Sequence, residues 1–236
     1  MQKLLLLGDE AIAQAALDAG LSGVYAYPGT PSTEIMEYVQ RSKQAEAGNV
    51  HRKWSANEKT AMEAAIGMSY AGKRAIVCMK HVGLNVAADP FMNSAITGAN
   101  GGLIVLVADD PSMHSSQDEQ DSRYYARFAQ IPYVEPSNQQ EAYDLTHFAF
   151  ELSERLHTPV LMRVTTRLAH SRAGVVTRES RPQNEINLCG NPKQFILLPA
   201  NARRQYVELI EKNVEFIKSS ETSGNNKYID GTDKSM

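Results

Sequence analysis

Cysteine is scarce in this sequence of 236 residues, and neither cysteine nor histidine shows the spacing of a metal site. Cys78 and Cys189 are far apart and form no C-x-x-C, zinc or iron–sulfur pattern. The six histidines show no H-E-x-x-H or other ligand spacing. We therefore predict no metal-binding residue and no iron–sulfur cluster in this chain. Cys78 lies in an apolar run and is interpreted as a small core residue.

Long hydrophobic runs and an excess of basic residues are also missing. The start, MQKLLLLGDE, is too short in apolar residues for a signal peptide and has no small-residue cleavage site. No stretch approaches the roughly 20 apolar residues that a transmembrane helix needs. The formal net charge is −3, without the basic stripe that nucleic-acid-binding proteins carry. We expect a cytoplasmic protein that binds neither a membrane nor nucleic acid.

The residues that are present alternate between short apolar runs and helical patterns. Buried strands are predicted at KLLLLG, GVYAYP, AIVCM, GLIVLVADD and PVLMRVTT, with VHRKW and YVEP as shorter candidates. Asp9, Ser32 and Asn138 each precede a helical pattern and are predicted to cap those helices. Continuous apolar strands that alternate with helices predict a doubly wound α/β fold, with a mostly parallel sheet and helices on both faces.

The character of the sequence changes at about residue 172, where the apolar periodicity is lost. We predict one α/β domain over residues 1–171. Residues 172–236 are predicted as a connecting segment, a short strand at FILLP, a helix over ANARRQYVELIEKNVEFIKSS and a polar, mobile tail.

Three polar loops follow predicted strands, and we call them the rim loops. They are PGTPS (28–32), KHVGLN (80–85) and DDPSMHSSQDEQ (109–120). In parallel α/β sheets, ligands bind beyond the carboxyl ends of the strands, where such loops meet. The rim loops are therefore a predicted binding site, although three ordinary polar loops would have the same composition.

The segment KWSANEKTAMEAAIGMSYAGKRAIVCMK places a glutamate, Glu58, at the head of an apolar helix face. At helical spacing this face also carries Ala61, Met62, Ala65 and Met68. Burying an unpaired charge is costly, so the carboxylate needs a partner. Ser55 and Glu58 fit S-x-x-E, a capping box in which each side chain bonds the backbone N–H of the other residue. A buried acid that bonds a ligand is the alternative interpretation.

Longer segments of the sequence resemble one enzyme family. The similarity is to the N-terminal, pyrimidine-binding region of the indolepyruvate ferredoxin oxidoreductase α subunit, and it is carried by YPGTPSTEI, WSANEKTAMEAAIGMSYAGKRA, MKHVGLNVAADPFM and ADDPSMHSSQDEQDSRYYARFAQIPYVEPS. That family belongs to the thiamine-diphosphate-dependent 2-oxoacid:ferredoxin oxidoreductases. The resemblance runs along nearly the whole chain, including PANARRQYVELIE. It implies oxidative decarboxylation of indolepyruvate or another arylpyruvate to an acyl-CoA.

The resemblance also implies roles around the cofactor. Glu58 takes the place of the catalytic acid that bonds N1′ of the aminopyrimidine ring of thiamine diphosphate. Pro28, Gly29, Gly83 and Asn85 are implied to lie against this cofactor, and Gly83 has no side chain to keep the ring from the backbone. A ligand then explains the carboxylate on the apolar face. The cap can coexist with this role if Ser55 caps the helix by itself.

Two residues are implied in substrate binding. YPGTP resembles the Y-P-x-T-P loop of pyruvate:ferredoxin oxidoreductases, whose threonine contacts the substrate, and Thr30 takes that position. The alternative is a plain turn set by Pro28 and Pro31. Arg127 lies near the position of the arginine that holds the 2-oxoacid carboxylate, a group that arginine matches with two hydrogen bonds. Arg123, one helical turn away, and a solvated surface role for the arginine are the alternatives.

Two parts of the family's pattern are missing from this sequence. No segment starts the G-D-G signature of the domain that binds the diphosphate and Mg²⁺, and no cysteine-rich iron–sulfur region is present. The resemblance therefore implies that another chain or domain shares thiamine diphosphate with this one, in an oligomer that also uses ferredoxin and CoA. A fragment, a split subunit and a short natural protein are all compatible with this expectation.

Two further alternatives stay open at the level of the sequence. A non-catalytic binding or assembly module could use the same fold, since a fold does not fix a function. An oxidoreductase for another 2-oxoacid, such as pyruvate, would share the same motifs.

Overall fold

The computed structural model describes residues 2–191, 193–227 and 231. Its strands are β1 (Lys3–Leu7), β2 (Gly23–Ala26), β3 (His51–Trp54), β4 (Ala75–Lys80), β5 (Leu103–Asp109), β6 (Tyr133–Val134), β7 (Val160–Thr165) and β8 (Arg172–Val176). Its helices are α1 (Gly8–Asp18), α2 (Thr33–Arg41), α3 (Lys43–Ala47), α4 (Glu58–Tyr70), α5 (His81–Val86), α6 (Ala88–Thr97), α7 (Arg123–Ala129), α8 (Gln139–Leu156), α9 (Thr166–Ala169) and α10 (Pro199–Thr222).

Six of the strands form one parallel sheet in the order β3-β2-β4-β5-β7-β6. All seven residues of the central strand β5 are buried. Because successive side chains of a strand point to opposite faces, this burial requires cover on both sides. Helices α1, α2 and α8 are linked by mutual contacts, α4, α5 and α6 form a second such group, and both groups pack on the sheet. The predicted doubly wound α/β fold is confirmed.

The first predicted strand forms, but outside this sheet. β1 pairs antiparallel with β8, from Lys3 opposite Val176 to Leu7 opposite Arg172. The strand predicted at KLLLLG therefore forms, but its predicted burial is wrong, since Leu5 is 69% exposed. The predicted connecting segment after residue 171 supplies the partner strand, whereas the division of the chain into domains stays a prediction.

One of the three predicted caps is confirmed, since Asn138 accepts a hydrogen bond from a backbone N–H of α8. Ser32 is the residue before α2, but the predicted cap is wrong, because its hydroxyl donates to the Gly29 carbonyl and bonds no N–H of the helix. The predicted cap Asp9 is wrong, because α1 already begins at Gly8 and Asp9 is fully buried inside its first turn. Burial raises the pKa of the Asp9 carboxyl group well above its usual value, and the nearby Glu34 adds to this effect.

Residues 193–227 contain the predicted helix, which is α10. It packs on α6 and α8 and buries Gln205, Leu209 and Phe216. The short strand predicted at FILLP is wrong, since residues 196–198 have no regular structure and pair with no described strand. Part of the predicted polar tail, residues 228–230 and 232–236, lies outside the described residues. Among the described helices, none combines the length and the apolar character needed to cross a membrane.

Candidate active site

Helix α4 begins at Glu58, and its cap is Asn57 instead of Ser55. The Asn57 side chain accepts a hydrogen bond from the Thr60 N–H at 2.9 Å, and the Thr60 hydroxyl accepts one from the Asn57 N–H at 3.3 Å. These two residues form the capping box. The predicted box of Ser55 and Glu58 is wrong. The Ser55 N–H donates to the Ala26 carbonyl at 2.8 Å instead of to the Glu58 side chain.

The Glu58 side chain lies in a buried position without a protein partner. It is 9% exposed, and within the described ranges no residue forms a hydrogen bond or an ion pair with its carboxylate. A Cβ built on Gly83 would lie 2.6 Å from Oε1 and 2.8 Å from Cγ of Glu58. The missing side chain at position 83 therefore makes room for the carboxyl group itself. The apolar face behind Glu58 is buried as predicted, with Met68 only partly covered.

Two of the rim loops meet at Lys80, the last residue of β4. A Cβ on Gly29 would lie 3.3 Å from Cδ of Lys80, and the Lys80 Nζ donates a hydrogen bond to the Ser115 carbonyl at 3.0 Å. β4 pairs with β2 and β5, the strands that lead into these loops. The strand order thus brings the predicted rim loops together.

Asp110 holds the loop that follows β5. Its carboxylate accepts hydrogen bonds from the Ser115 N–H at 2.7 Å, the Ser116 hydroxyl at 2.8 Å and the Thr166 hydroxyl at 2.8 Å. Although burial raises the pKa of Asp110, these hydrogen bonds outweigh it and hold the pKa well below the usual carboxyl range. The loop is therefore fixed by an ionised carboxylate at neutral pH.

The rim loop KHVGLN (80–85) contains most of the short helix α5. The Asn85 side chain accepts a hydrogen bond from the Tyr125 hydroxyl, which fastens α5 to α7. His81 is 1% exposed, and neither of its ring nitrogens has a hydrogen-bond partner among the described residues. Its Nδ1 lies 3.7 Å from Oδ1 of Asp118 in the loop after β5. All three rim loops are thus in contact at one edge of the sheet.

The loop PGTPS is held by its own short hydrogen bonds. The Gly29 N–H donates to the Thr33 hydroxyl at 3.1 Å, and the Ser32 hydroxyl donates to the Gly29 carbonyl at 2.9 Å. Pro28 and Thr30, on either side of Gly29, are exposed. The loop therefore has a defined shape and presents both side chains to solvent at the rim.

Arg127, by contrast, lies away from the rim loops. Its guanidinium carbon is 6.0 Å from the centre of the Tyr124 ring, and the side chain lines a cavity of about 520 Å³ between α7, α8 and α10. No residue of a rim loop lines this cavity. Arg123 is engaged in ion pairs with Asp121 at 2.6 Å and Glu135 at 3.5 Å. The structure thus brings neither arginine to Glu58.

Two residues of the site escape the sequence analysis, Lys80 and Asp110. The available signal for Lys80 is a single charge at the end of the buried run AIVCMK. The signal for Asp110 is a carboxylate followed at five and six residues by Ser115 and Ser116, which can turn back to bond it. Both roles depend on which strands are neighbours in the sheet.

Comparisons with known proteins show the family of this chain. The family model for the thiamine-diphosphate-binding part of pyruvate flavodoxin/ferredoxin oxidoreductase matches residues 14–208. Indolepyruvate oxidoreductase subunit IorA of Archaeoglobus fulgidus is 46% identical over 228 residues, which cover 93% of this chain and 36% of the relative. The same subunit of Pyrococcus horikoshii is 46% identical over 238 residues, covering 98% of this chain and 36% of the relative. This chain therefore spans little more than a third of the length of these curated relatives.

A solved structure extends the comparison to the fold. The 2-oxoglutarate:ferredoxin oxidoreductase from Magnetococcus marinus, with 2-oxoglutarate, coenzyme A and succinyl-CoA bound, superimposes with a TM-score of 0.72. The match covers 98% of this chain and 47% of that chain at 17% identity, so it supports the fold alone. From the family match over most of its length, this chain belongs to the thiamine-diphosphate-binding domain family of pyruvate flavodoxin/ferredoxin oxidoreductases.

Proposed function

We propose that this chain is the pyrimidine-binding part of an indolepyruvate:ferredoxin oxidoreductase. In the reaction, a 2-oxoacid and CoA become an acyl-CoA and CO₂, a proton is released, and the electron pair passes to oxidised ferredoxin. The observation that carries the proposal is the carboxylate of Glu58, a largely buried residue at the ligand-binding edge of the sheet whose side chain has no partner among the described residues. The names of the similar subunits support indolepyruvate as the substrate.

The residues present fit the aminopyrimidine end of thiamine diphosphate. Glu58 would hold the proton at ring nitrogen N1′, and Gly83 leaves the space that its carboxyl group occupies. Pro28, Gly29 and Asn85 would border the same ring. When bound, thiamine diphosphate supplies the carbon that adds to the keto group and the electron sink for decarboxylation. Glu58 would contribute by exchanging its proton at N1′, a role that typically accounts for about 10²–10⁴ in rate.

Thr30 would contact the substrate from the loop after β2, where it is exposed beside Gly29. The assignment of Arg127 to the substrate carboxylate stays a prediction from the resemblance. A cytoplasmic location and an oligomeric state likewise stay predictions.

We further propose that a second chain or domain holds the diphosphate and Mg²⁺. The sequence contains no G-D-G signature, and this chain spans only part of its relatives, which are themselves named as subunits. The same partner would carry the iron–sulfur clusters that pass electrons to ferredoxin. On this account, Glu58 and the rim loops complete their site only in the assembled complex.

The test uses the full-length protein that contains this sequence, purified with its partner subunit. With thiamine diphosphate, Mg²⁺, CoA and oxidised ferredoxin, we expect CO₂ release and ferredoxin reduction with indolepyruvate, and a lower kcat/KM with pyruvate and 2-oxoglutarate. The isolated chain should give neither product above background. Turnover by the isolated chain would contradict the shared site. A complex that binds thiamine diphosphate but converts no 2-oxoacid would favour the non-catalytic assembly module.

A further inference from the structure

Helix α10 carries apolar side chains on two opposite sides. One side packs on α6 and α8 and buries Leu209 and Phe216. The other side is exposed, and its four apolar residues, each between 48 and 72% exposed, are Val207, Ile210, Val214 and Ile217. We call these four residues the outer stripe. A surface helix of a globular protein has its apolar residues on one side, so α10 has the pattern of a helix that is covered on both sides.

The outer stripe has the spacing of a helix–helix contact. Its members follow one another at intervals of three, four and three residues, which places them in one row along the helix. Rows with this spacing interdigitate with the side chains of a neighbouring helix. Ile217, at one end of the row, also lines the cavity of about 520 Å³ between α7, α8 and α10. The outer stripe and this cavity therefore form one continuous surface.

The charges beside the outer stripe argue against a second copy of this chain as its cover. One flank carries Arg204, Glu211 and Lys218, and the other carries the uncharged Tyr206, Asn213 and Ser220. In an antiparallel pair of α10 helices, Glu211 would meet its own copy, and Arg204 would meet the copy of Lys218. In a parallel pair, the charged flank would meet the uncharged one. Neither arrangement offers an opposite charge, although flanking charges set the choice of partner in such contacts.

The longer relatives contain the chain from which a different helix could come. The alignment with the Pyrococcus horikoshii subunit includes 98% of this chain, and therefore α10, but only 36% of that subunit. The family model ends at residue 208, so three of the four residues of the outer stripe lie past the matched domain. The outer stripe thus lies on a segment that aligns with the longer subunits and extends beyond the thiamine-diphosphate-binding domain.

We propose that the outer stripe binds an amphipathic helix from the remainder of the full-length subunit. The apolar side of that helix lies on the four residues of the stripe, and its flank places an acid, a base and an acid opposite Arg204, Glu211 and Lys218. The contact fastens the domain to which that helix belongs onto the thiamine-diphosphate-binding domain. This inference goes beyond the proposed function, because it requires no particular substrate or reaction.

The test measures how fast a cysteine on the outer stripe reacts with N-ethylmaleimide in the full-length subunit, purified without its partner subunit. Val214→Cys places the thiol on the stripe. Glu215→Cys, the matched control at a second exposed residue, places it about 100° further round the helix. Both positions fall in one tryptic peptide, residues 213–218, whose label is read by mass spectrometry. We expect Val214→Cys to react at least about tenfold more slowly than Glu215→Cys, because its reaction requires the covering helix to open.

The fully buried Cys78 reports on folding in the same samples, since it stays unlabelled in a folded subunit. If Cys78 is labelled in the subunit alone, the two rates are measured in the complex with the partner subunit. A crosslinker from the thiol of Val214→Cys to nearby lysines then identifies the chain that covers the stripe.

A change of charge beside the stripe separates the two kinds of cover. Glu211→Gln, combined with Val214→Cys, removes one attraction to the proposed helix and should speed the labelling by about 1.5- to 5-fold, the range expected of one exposed ion pair. In a self-associated form, the same substitution would relieve the repulsion between two Glu211 side chains and slow the labelling. If Glu215→Cys is protected as well, the direction of this change decides.

Three outcomes would overturn the proposal. Fast labelling of both cysteines in a folded subunit would mean that no helix covers the stripe. Protection that appears only with the partner subunit, or a crosslink to it, would assign the stripe to that subunit. Protection that grows with protein concentration would assign it to a second copy. Protection in the full-length subunit alone, independent of its concentration, supports the proposal whether or not the complex converts a 2-oxoacid.

Discussion

Two helices of this protein begin in the same way but use their first acid differently. Asn57 and Asn138 each accept a hydrogen bond from the backbone N–H three residues further on, at 2.9 Å. Glu141, in the first turn of α8, accepts hydrogen bonds from the N–H and the hydroxyl of Ser137 at 2.9 and 2.6 Å. Glu58, in the first turn of α4, is buried and accepts none from the residues that the structure describes.

The two helices also start at the same edge of the sheet. α4 follows β3 and α8 follows β6, which are the first and the last strand of one parallel sheet. Both helices therefore begin beyond the carboxyl ends of the strands. Hydrogen bonds from Ser137 lower the pKa of Glu141, so the fold itself uses this acid. Around Glu58, the fold instead supplies the space left by Gly83. The comparison teaches that the local pattern of cap and acid is shared, and that only the surroundings distinguish Glu58, the acid that we propose as functional, from Glu141.

The largest effect is expected from filling the space beside Glu58. Gly83→Ala places a methyl group 2.6 Å from Oε1 of Glu58, so the carboxyl group must move. A displacement of about 1 Å in a catalytic site can cost about 10²-fold in rate. We expect C2 proton exchange of bound thiamine diphosphate in the full-length complex to slow by about that factor.

The matched control for this substitution is Gly67→Ala in α4. A Cβ on Gly67 meets nothing within 4 Å. Alanine in a helix interior should therefore raise the free energy of unfolding by about 0.5–1 kcal/mol and leave the exchange rate unchanged. Wild-type exchange in Gly83→Ala would mean that the position of the Glu58 carboxyl group does not matter.

A smaller effect is expected from removing the caps. Asn57→Ala and Asn138→Ala should each lower the free energy of unfolding by about 0.5–2 kcal/mol, measured by urea denaturation. Exchange at C2 should stay near the wild-type rate in both variants, because neither asparagine bonds an acidic side chain. If Asn57→Ala slows exchange as much as Gly83→Ala does, the cap positions the site and the distinction between the two helix starts is lost.

The smallest effect is expected at Glu141. Its pKa is lowered in the folded state, so the ionised group stabilises the fold at neutral pH, and this stabilisation is lost as the pH falls through the carboxyl range. Glu141→Gln should lower the free energy of unfolding by less than about 1 kcal/mol at pH 7, since Ser137 is exposed and Glu141 is only partly buried. Urea denaturation at decreasing pH should show the difference from wild type shrinking below about pH 4.5. A difference that grows on acidification would refute this account of Glu141.

Most of the fold follows from the sequence because its strands are long apolar runs. AIVCM and GLIVLVADD can only be buried on both faces, and the helices between them leave a parallel sheet as the natural arrangement. KLLLL has the same composition but lies outside the sheet, because its partner strand, β8, begins at residue 172. For this strand, composition predicts neither the burial nor the pairing, because both depend on residues that are distant in the chain.

The site is predictable to a smaller extent, and for a similar reason. Glu58 stands out as a charge on an apolar face, yet S-x-x-E and the true cap, Asn57 with Thr60, occupy the same few residues and cannot be ranked by pattern alone. Lys80 becomes a site residue only when β2, β4 and β5 are known to be neighbours. Arg127 requires the rotational register of α7, which a short helix in a polar segment does not reveal.

The central claim, that Glu58 is the acid kept free for the cofactor, is tested most directly by Glu58→Gln. The variant keeps the size of the side chain and removes the exchangeable carboxyl proton. In the full-length complex, we predict that C2 proton exchange of bound thiamine diphosphate, followed by NMR, slows by at least about 10²-fold, while Glu141→Gln exchanges at the wild-type rate. Exchange at the wild-type rate in Glu58→Gln would contradict the claim and leave Glu58 as an ordinary residue of the first turn.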